Sequence, residues 1–273
     1  MSAEGTLGII AGNRLFPQIF AREARRAGVP RLVAVAFEGE TDPAIEPLVD
    51  QVEWVKLGQL DRIIQAFKSH NVRKVVMVGQ IAPTNLFANL RLDLRMTMLL
   101  ARLKRRNAET IFGAIGDELA KDGLELVPHA DFLSRLIPSA GPLTKRRATA
   151  EEREDFVFGF RIAKQIAALD VGQSVVVKRG TVLAVEALEG TDACLRRGGA
   201  LGQGGAVAVK VTKPNQDMRF DIPCIGPETI AALRESGITA LAVEAGRTLL
   251  LAREEILAAA DEAGIAIEAV SGE

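Results

Sequence analysis

The sequence predicts an α/β protein in which a Rossmann-like parallel-sheet domain is followed by a mixed α/β domain. Three observations carry that expectation. Short β-type apolar runs alternate with amphipathic helical stretches through the first half, as in a parallel sheet with right-handed crossovers. The first apolar run leads directly into a glycine turn and a helix, the start of a nucleotide-type βα unit. At 273 residues the chain is long for one core and comfortable for two, since domains cluster near roughly 100–150 residues.

Taken in order, Leu7–Ala11 reads as a buried strand, Gly12 and Asn13 as a turn, and Leu15–Ala27 as a helix closed by Gly28 and Pro30. Arg31–Ala36, Val52–Leu57 and Lys74–Val78 follow as strands, with a helix over Leu60–Ser69. Ligands in such sheets sit outside the carboxyl ends of the strands, so the loops of interest are 12–14, 37–42 and 79–85. Leu94–Arg106 and Glu109–Lys121 read as helices and Leu124–Val127 as a strand. The N-terminal domain is placed at 1–132. A connector follows at 133–149, where Pro138, Gly141, Pro142 and the basic cluster Lys145, Arg146 and Arg147 interrupt apolar periodicity. The second domain, 150–273, opens with an acid-led helix, Glu151–Leu169. Ser174–Lys178 and Thr181–Glu186 form a hairpin about Arg179 and Gly180. Strands at Ala206–Val211 and Ala240–Val243 then alternate with helices at Pro227–Ser236 and Arg253–Ala263.

Composition narrows the function. Hydrophobic residues are 48% and charged residues 25% of the chain, the balance of an ordinary globular protein. A formal net charge of −1 gives no global field toward nucleic acid. Cys194 and Cys224 are too few for a disulfide framework and lack zinc-site spacing. The N-terminus has no basic segment ahead of its apolar run, and no window approaches the roughly 20 apolar residues of a membrane span. A cytoplasmic protein is expected. Tyr is absent and His occurs only at His70 and His129, which excludes chemistry needing several imidazoles; both read as structural or surface residues.

Candidate chemistry falls in a few stretches. The turn after the first strand, with Gly8, Gly12, Asn13 and Arg14, shares the logic of a phosphate-binding loop without the full G-x-G-x-x-G pattern. Gly12 lets backbone approach a ligand and the following helix start favours anions, although a plain βα turn has the same needs. Glu186, Glu189, Gly190, Thr191 and Asp192 gather three carboxylates and a hydroxyl after a strand. Mg²⁺ takes such hard oxygens together with substrate phosphate oxygens; a polar surface loop would look alike. Lys213 and Arg219 could meet a pyrophosphate, Gln216 orient a water, and Asp217 and Asp221 bind metal or abstract a proton. An extended chain would set Asp217, Arg219 and Asp221 on one face; an edge strand with ordinary ion pairs is the competing reading. Glu244 and Arg247 lie at another strand end. Met96, Met98, Leu99 and Leu100 precede Arg102, Lys104, Arg105 and Arg106, either a solvated helix face or an element that enters lipid beside anionic headgroups.

Several of these segments, in order and over most of the chain, resemble one family: the UDP-2,3-diacylglucosamine pyrophosphatases of bacterial lipid A biosynthesis, of the type with a nucleotide-fold N-domain rather than the calcineurin-like type. The matching segments are Gly8–Asn13 with Phe16 and Pro17, Val185–Ala193 with Leu195 and Arg196, Lys213 and Pro214 with Gln216 and Asp217, Arg219–Pro223, and Glu244–Arg247 with Arg253 and Glu254. The resemblance implies hydrolysis of UDP-2,3-diacylglucosamine to UMP and 2,3-diacylglucosamine 1-phosphate (lipid X), with water as nucleophile and Mg²⁺ or another divalent cation as cofactor. It implies catalytic roles for Asp221, Asp192, Gln216 and Lys213, with Asp221, Asp192 and Glu189 toward the metal. Substrate contacts are expected from Gly12, Asn13, Gly79, Gln80, Thr191, Arg219, Glu244 and Arg247. An acylated substrate implies transient contact with the inner face of the inner membrane, and a homodimer is compatible with all of this. The chain departs from the family pattern at Arg14, at Gln80 in the run Gly79–Pro83, which lacks an arginine before the proline, and at Asn107–Glu109.

Other classes fit less well. A calcineurin-like phosphoesterase needs more histidines, and no Nudix-type box is present. A non-catalytic nucleotide-sugar or lipid-precursor binder on the same fold is the alternative. A dehydrogenase ranks behind it, for want of the glycine fingerprint and an acid–base pair.

Overall fold

The computed structural model describes residues 5–81, 92–104, 108–214, 216, 219 and 222–272, without the side chains of 108 and 109. The chain divides into two units, Met1–Ser134 with Asp217–Asp221, and Arg135–Gln216 with Ile222–Glu273.

The first unit runs β1 (Thr6–Ala11), α1 (Phe16–Arg26), β2 (Arg31–Phe37), a 3-10 turn (Pro43–Leu48), β3 (Gln51–Val55), α2 (Leu60–Ser69), β4 (Lys74–Val78), α3 (Leu94–Arg102), α4 (Ala108–Lys121) and β5 (Glu125–Leu126). The strands form one sheet in the order β3-β2-β1-β4-β5, parallel throughout. This is the doubly wound order, with its reversal between β1 and β4. Ile10, Val33, Val35, Val75 and Met77 bury one sheet face against α2, α3 and α4, and alternation turns Ile9 and Ala34 to the other. Asp93 joins two helix starts: its carboxylate accepts from the Met96 amide at 2.8 Å and from the Asp61 amide at 2.6 Å. Helix α3 ends sooner than the expected Arg106, because Leu103 turns to extended backbone.

The second unit comprises β6 (Gly141–Pro142), α5 (Ala150–Ala168), β7 (Ser174–Lys178), β8 (Thr181–Val185), α6 (Thr191–Gly202), β9 (Ala206–Lys210), β10 (Cys224–Ile225), α7 (Pro227–Glu235), β11 (Ile238–Glu244), β12 (Leu249–Leu250), α8 (Arg253–Glu262) and β13 (Ala266–Val270). Its main sheet has the order β6-β13-β11-β9-β7-β8. β9, β11 and β13 are parallel, while β6, β7 and β8 join antiparallel; β10 and β12 pair separately. Helix α5 covers one face through Phe156, Ala163 and Ala167 against Val175, Val177, Val207 and Val209. Leu195 of α6, Ile230 of α7 and Ile256 of α8 pack with the opposite face. Residues 133–149, read as a connector, are anchored: Leu133 is buried, and Gly141 and Pro142 pair with β13.

The hairpin is as expected, with positive φ at Arg179 and Gly180, the geometry of a two-residue turn. Both amides donate to Asp155 at 2.7 Å. At the start of α5, Thr149 and Glu152 form a reciprocal capping box. Helix α6 was not expected, since Gly198, Gly199 and Gly202 argue against helix by propensity. Packing supplies the reason: a Cβ at Gly198 would stand 2.5 Å from the Val176 Cβ, and one at Gly199 would stand 2.3 Å from the Ser236 carbonyl oxygen. Strand β13 also escaped the sequence reading, its apolar run being interrupted by Glu268. No described helix is long and apolar enough to cross a membrane.

Gly198→Ala tests this packing. Alanine is the better helix former by about 1 kcal/mol, yet the clash with Val176 should make the variant less stable by roughly 1–3 kcal/mol in urea denaturation. A stabilised variant would show that α6 does not lie this close to β7.

Candidate functional site

In the first unit the candidates converge where the sheet order reverses. Gly12 follows β1 and Gly79 follows β4. The Gly12 amide donates to the Val78 carbonyl at 2.8 Å and the Asn13 amide to the Gln80 carbonyl at 2.7 Å. A Cβ on Gly12 would fall 2.4 Å from that Gln80 oxygen, so glycine is required for the two turns to touch through backbone alone. The Asn13 side-chain amide donates to Glu40 at 2.8 Å, while its Oδ1 is buried and has no partner among the described residues, an acceptor open to a ligand. The Gln80 side chain is exposed. Beneath these turns lies an apolar cavity of about 320 Å³, at the lower end of ligand-pocket sizes. Phe37, Met77, Met96, Leu100, Ile111 and Phe112 are among its walls.

The apolar residues of α3 therefore divide. Met96 and Leu100 line the cavity and Leu99 is buried, whereas Leu94 is 74% and Met98 45% exposed. Arg102 and Lys104 are exposed at its end; Arg105 and Arg106 lie outside the described residues.

Arg219 belongs to this unit. Its carbonyl lies 3.2 Å from Nδ1 of His129, and a carbonyl only accepts, so Nδ1 carries the proton. His129 is buried, edge-on to Phe16 with ring centroids 5.3 Å apart. Burial pushes its pKa down to about 4, which keeps the ring neutral. It is a structural histidine, as read from sequence. His70 pairs with Glu53.

In the second unit the candidates gather at the carboxyl ends of β9 and β11 and the start of α6. Thr191 opens α6 after Gly190, whose φ is 81°. The Thr191 hydroxyl donates to Glu186 at 2.9 Å and accepts from Lys210 at 2.7 Å. Asp192 is half-buried in the first helical turn. The backbone amide of Lys213 donates to Oε1 of Gln216 at 2.8 Å, and its ammonium pairs with Asp170. The Gln216 Nε2 is buried and has no hydrogen-bond partner among the described residues, so the end it offers is a donor. Asp221 and Asp217 lie outside the described residues.

Two candidates already have partners in the structure. Glu244 is buried: Lys164 donates to both its oxygens at 3.1 Å, and the Thr212 amide and hydroxyl each donate at 2.7 Å. Burial raises its pKa, but the Thr212 bonds and the Lys164 charge outweigh that and hold it below the ordinary value. Glu244 thereby fixes the chain one residue ahead of Lys213. Arg247 is exposed and lies 3.7 Å from Glu244. Glu189, expected toward a metal, is engaged by Arg197 at 2.6 Å and accepts from the Ala187 amide; the Arg197 hydrogen bond holds its carboxyl low. Among the described residues no group of three or more His, Cys, Asp or Glu is placed to hold a metal ion. Among the described residues Asp192 offers a carboxylate to a hard cation. Cys194 is buried, which pushes its thiol up to about 12 and removes it as a nucleophile.

Lys164 and Lys210 were missed as participants, whereas Glu186 was among the carboxylates read from sequence. The signal for Lys210 was available: it ends an otherwise apolar strand, and a charge there needs a partner.

Comparison with known proteins adds the following. Residues 6–136 match the family model described as the LpxI N-terminal domain, and residues 139–268 that described as the LpxI C-terminal domain. A relative from Caulobacter vibrioides, UDP-2,3-diacylglucosamine pyrophosphatase LpxI, is 33% identical, with 95% of each chain covered. Among solved structures, N5-carboxyaminoimidazole ribonucleotide synthetase from Thermotoga maritima matches 67% of this chain and 41% of its own, with 14% identity and a TM-score of 0.22, too low a likeness to assign fold or function.

His129 makes stability depend on pH. An unfolded histidine titrates near 6.5 and the folded one near 4, so as pH falls below 6.5 the unfolded chain takes the proton first. Its contribution is intact above about pH 7 and is lost toward pH 4, amounting to about 2 kcal/mol between pH 7.5 and 5. Urea titrations at those two values should show this loss in the wild type and not in His129→Gln; equal losses would place the titration elsewhere.

Proposed function

The chain belongs to the LpxI family, and we propose that it hydrolyses the pyrophosphate of UDP-2,3-diacylglucosamine, releasing UMP and 2,3-diacylglucosamine 1-phosphate. The observation that carries this reading is the apolar cavity beneath the β1/β4 switch point. A nucleotide-type crevice serving a water-soluble nucleotide sugar has no need of walls such as Met96, Leu100 and Phe112, whereas an acyl chain gains about 0.8 kcal/mol for each methylene buried there.

Hydrolysis forms a bond between water oxygen and phosphorus and breaks the anhydride P–O bond. Lys213 would face the pyrophosphate charge, and the Nε2 of Gln216 would donate to a phosphoryl oxygen or to the attacking water. Asp221 would accept the water's proton or hold a divalent cation. When bound, Mg²⁺ supplies neutralisation of charge on the phosphate oxygens. An acylated substrate must be collected from a bilayer. Exposed Leu94 and Met98 beside Arg102 and Lys104 suit contact with anionic headgroups, so a cytoplasmic protein visiting the inner membrane surface is the reading we adopt.

UMP release from UDP-2,3-diacylglucosamine should occur with the wild type in Mg²⁺, stop in EDTA, and be absent in Asp221→Ala. No release from folded wild type with any divalent cation would overturn the assignment and leave a binding protein.

The cavity gives a second measurement. Shortening the acyl chains by two methylenes should raise KM about fifteen-fold, from about 0.8 kcal/mol per methylene. Ile111→Trp, which fills the cavity, should raise KM for the long-chain substrate in the same way. A KM indifferent to both would exclude the cavity as the acyl site.

A further inference from the structure

Lys210, Ser174 and Glu186 stand side by side at one end of the second unit's sheet. Lys210 is the register partner of Ser174, and the Glu186 amide donates to the Ser174 carbonyl at 2.9 Å. Neighbours in one row share a sheet face. Here it is the face on which Val176, Ala184 and Ala208 meet α6. At the start of that helix Thr191 lies between the two charges: the Lys210 ammonium donates to its Oγ1 at 2.7 Å, and Oγ1 donates to Glu186 at 2.9 Å. Lys210 is 9% exposed, and Ser174 Oγ is buried without a partner among the described residues. Glu186 is itself held, its second oxygen accepting from the Gln173 amide at 3.3 Å.

The direction of these bonds follows from what each group can do. An ammonium only donates and a carboxylate only accepts, so the single hydroxyl proton goes to Glu186 and one lone pair goes to Lys210. One lone pair remains. Thr191 can therefore offer the reaction site an acceptor and nothing else. Phosphate oxygens are acceptors too, so the hydroxyl cannot donate to the pyrophosphate while this arrangement lasts. The donor that hydrolysis brings to the site is the attacking water.

Resting on the hydrolase reading above, we propose that Lys210 and Glu186 are positioning residues that lock the Thr191 hydroxyl as an acceptor for the attacking water. Thr191 then orients the nucleophile and contributes little to substrate affinity. Misorienting the water should lower kcat by roughly tenfold to a hundredfold while KM stays within about threefold.

The test has two arms on the full chain. The first needs no turnover: with lysine side chains labelled with ¹⁵N, the Lys210 ammonium should give a slowly exchanging signal. The signal should persist in Thr191→Ser and shift or vanish in Thr191→Val. A signal unchanged in Thr191→Val would overturn the contact. The second arm is UMP release. Lys210→Met and Thr191→Val should each lose kcat, Thr191→Ser should recover it, and the double variant should be no worse than Thr191→Val alone, because Lys210 acts through Thr191. A raised KM at unchanged kcat would mean that Thr191 binds substrate, and losses that multiply would mean that Lys210 acts independently; either overturns the proposal. Should Lys210→Met fail to fold, Thr191→Val and Thr191→Ser decide. A wild type that shows the ammonium contact but releases no UMP would instead bring down the hydrolase reading, and the role in turnover with it.

Discussion

Where β1 and β4 end, Gly12 and Gln80 meet through main-chain atoms alone, and the first unit's crevice depends on that meeting. The Gly12 and Asn13 amides are taken by carbonyls of the β4 side, and any side chain at Gly12 would displace the Gln80 backbone. With both turns drawn together, the helices on one face of the sheet leave the cavity walled by Met77, Met96 and Phe112. The polar rim and the apolar interior are thus consequences of one close approach. The same device recurs in the second unit, where Gly198 brings α6 against Val176 and so delivers Thr191 to the end of the sheet.

The second unit follows a further constraint, that buried charge must be paired. Lys164 meets it by pairing directly with Glu244, which also accepts from the Thr212 hydroxyl, and Lys210 reaches Glu186 through the Thr191 hydroxyl. A hydroxyl between two fixed charges has its proton direction decided for it, and a neutral loop could not impose that. Glu244 fixes Thr212 one residue ahead of Lys213, so the pair also sets where the Lys213–Gln216 turn begins.

Much of this was legible in the sequence. The strands and helices of the first unit, the hairpin at Arg179 and Gly180, and the placing of Gly12, Asn13, Gly79 and Gln80 at strand ends all come from period and turn chemistry. These are local properties. Helix α6 was hidden because its glycines serve neighbours distant in sequence, Val176 and Ser236. The partner that holds Glu244, Lys164, is 80 positions away, and nothing local reveals that pairing. In the loop of three carboxylates near a glycine, likewise, only the fold shows that Arg197 pairs with Glu189. Composition shows which groups are near in sequence, and only the fold shows which are already committed.

The division between the units bears on how such an enzyme would use its binding energy. An acyl chain in the cavity is bound equally in the ground and transition states, so its burial lowers KM and leaves the chemical barrier alone. Groups that respond to charge moving at phosphorus, or to the direction of a water, act on kcat. The groups proposed for that part belong to strand ends and a helix start, where Lys210, Glu186 and Glu244 make hydrogen bonds of 2.7–3.1 Å. A short acyl chain and a misdirected hydroxyl are therefore different kinds of defect. The sequence already separates them, placing an apolar helix beside the nucleotide-type sheet and the charged residues at the ends of otherwise apolar strands.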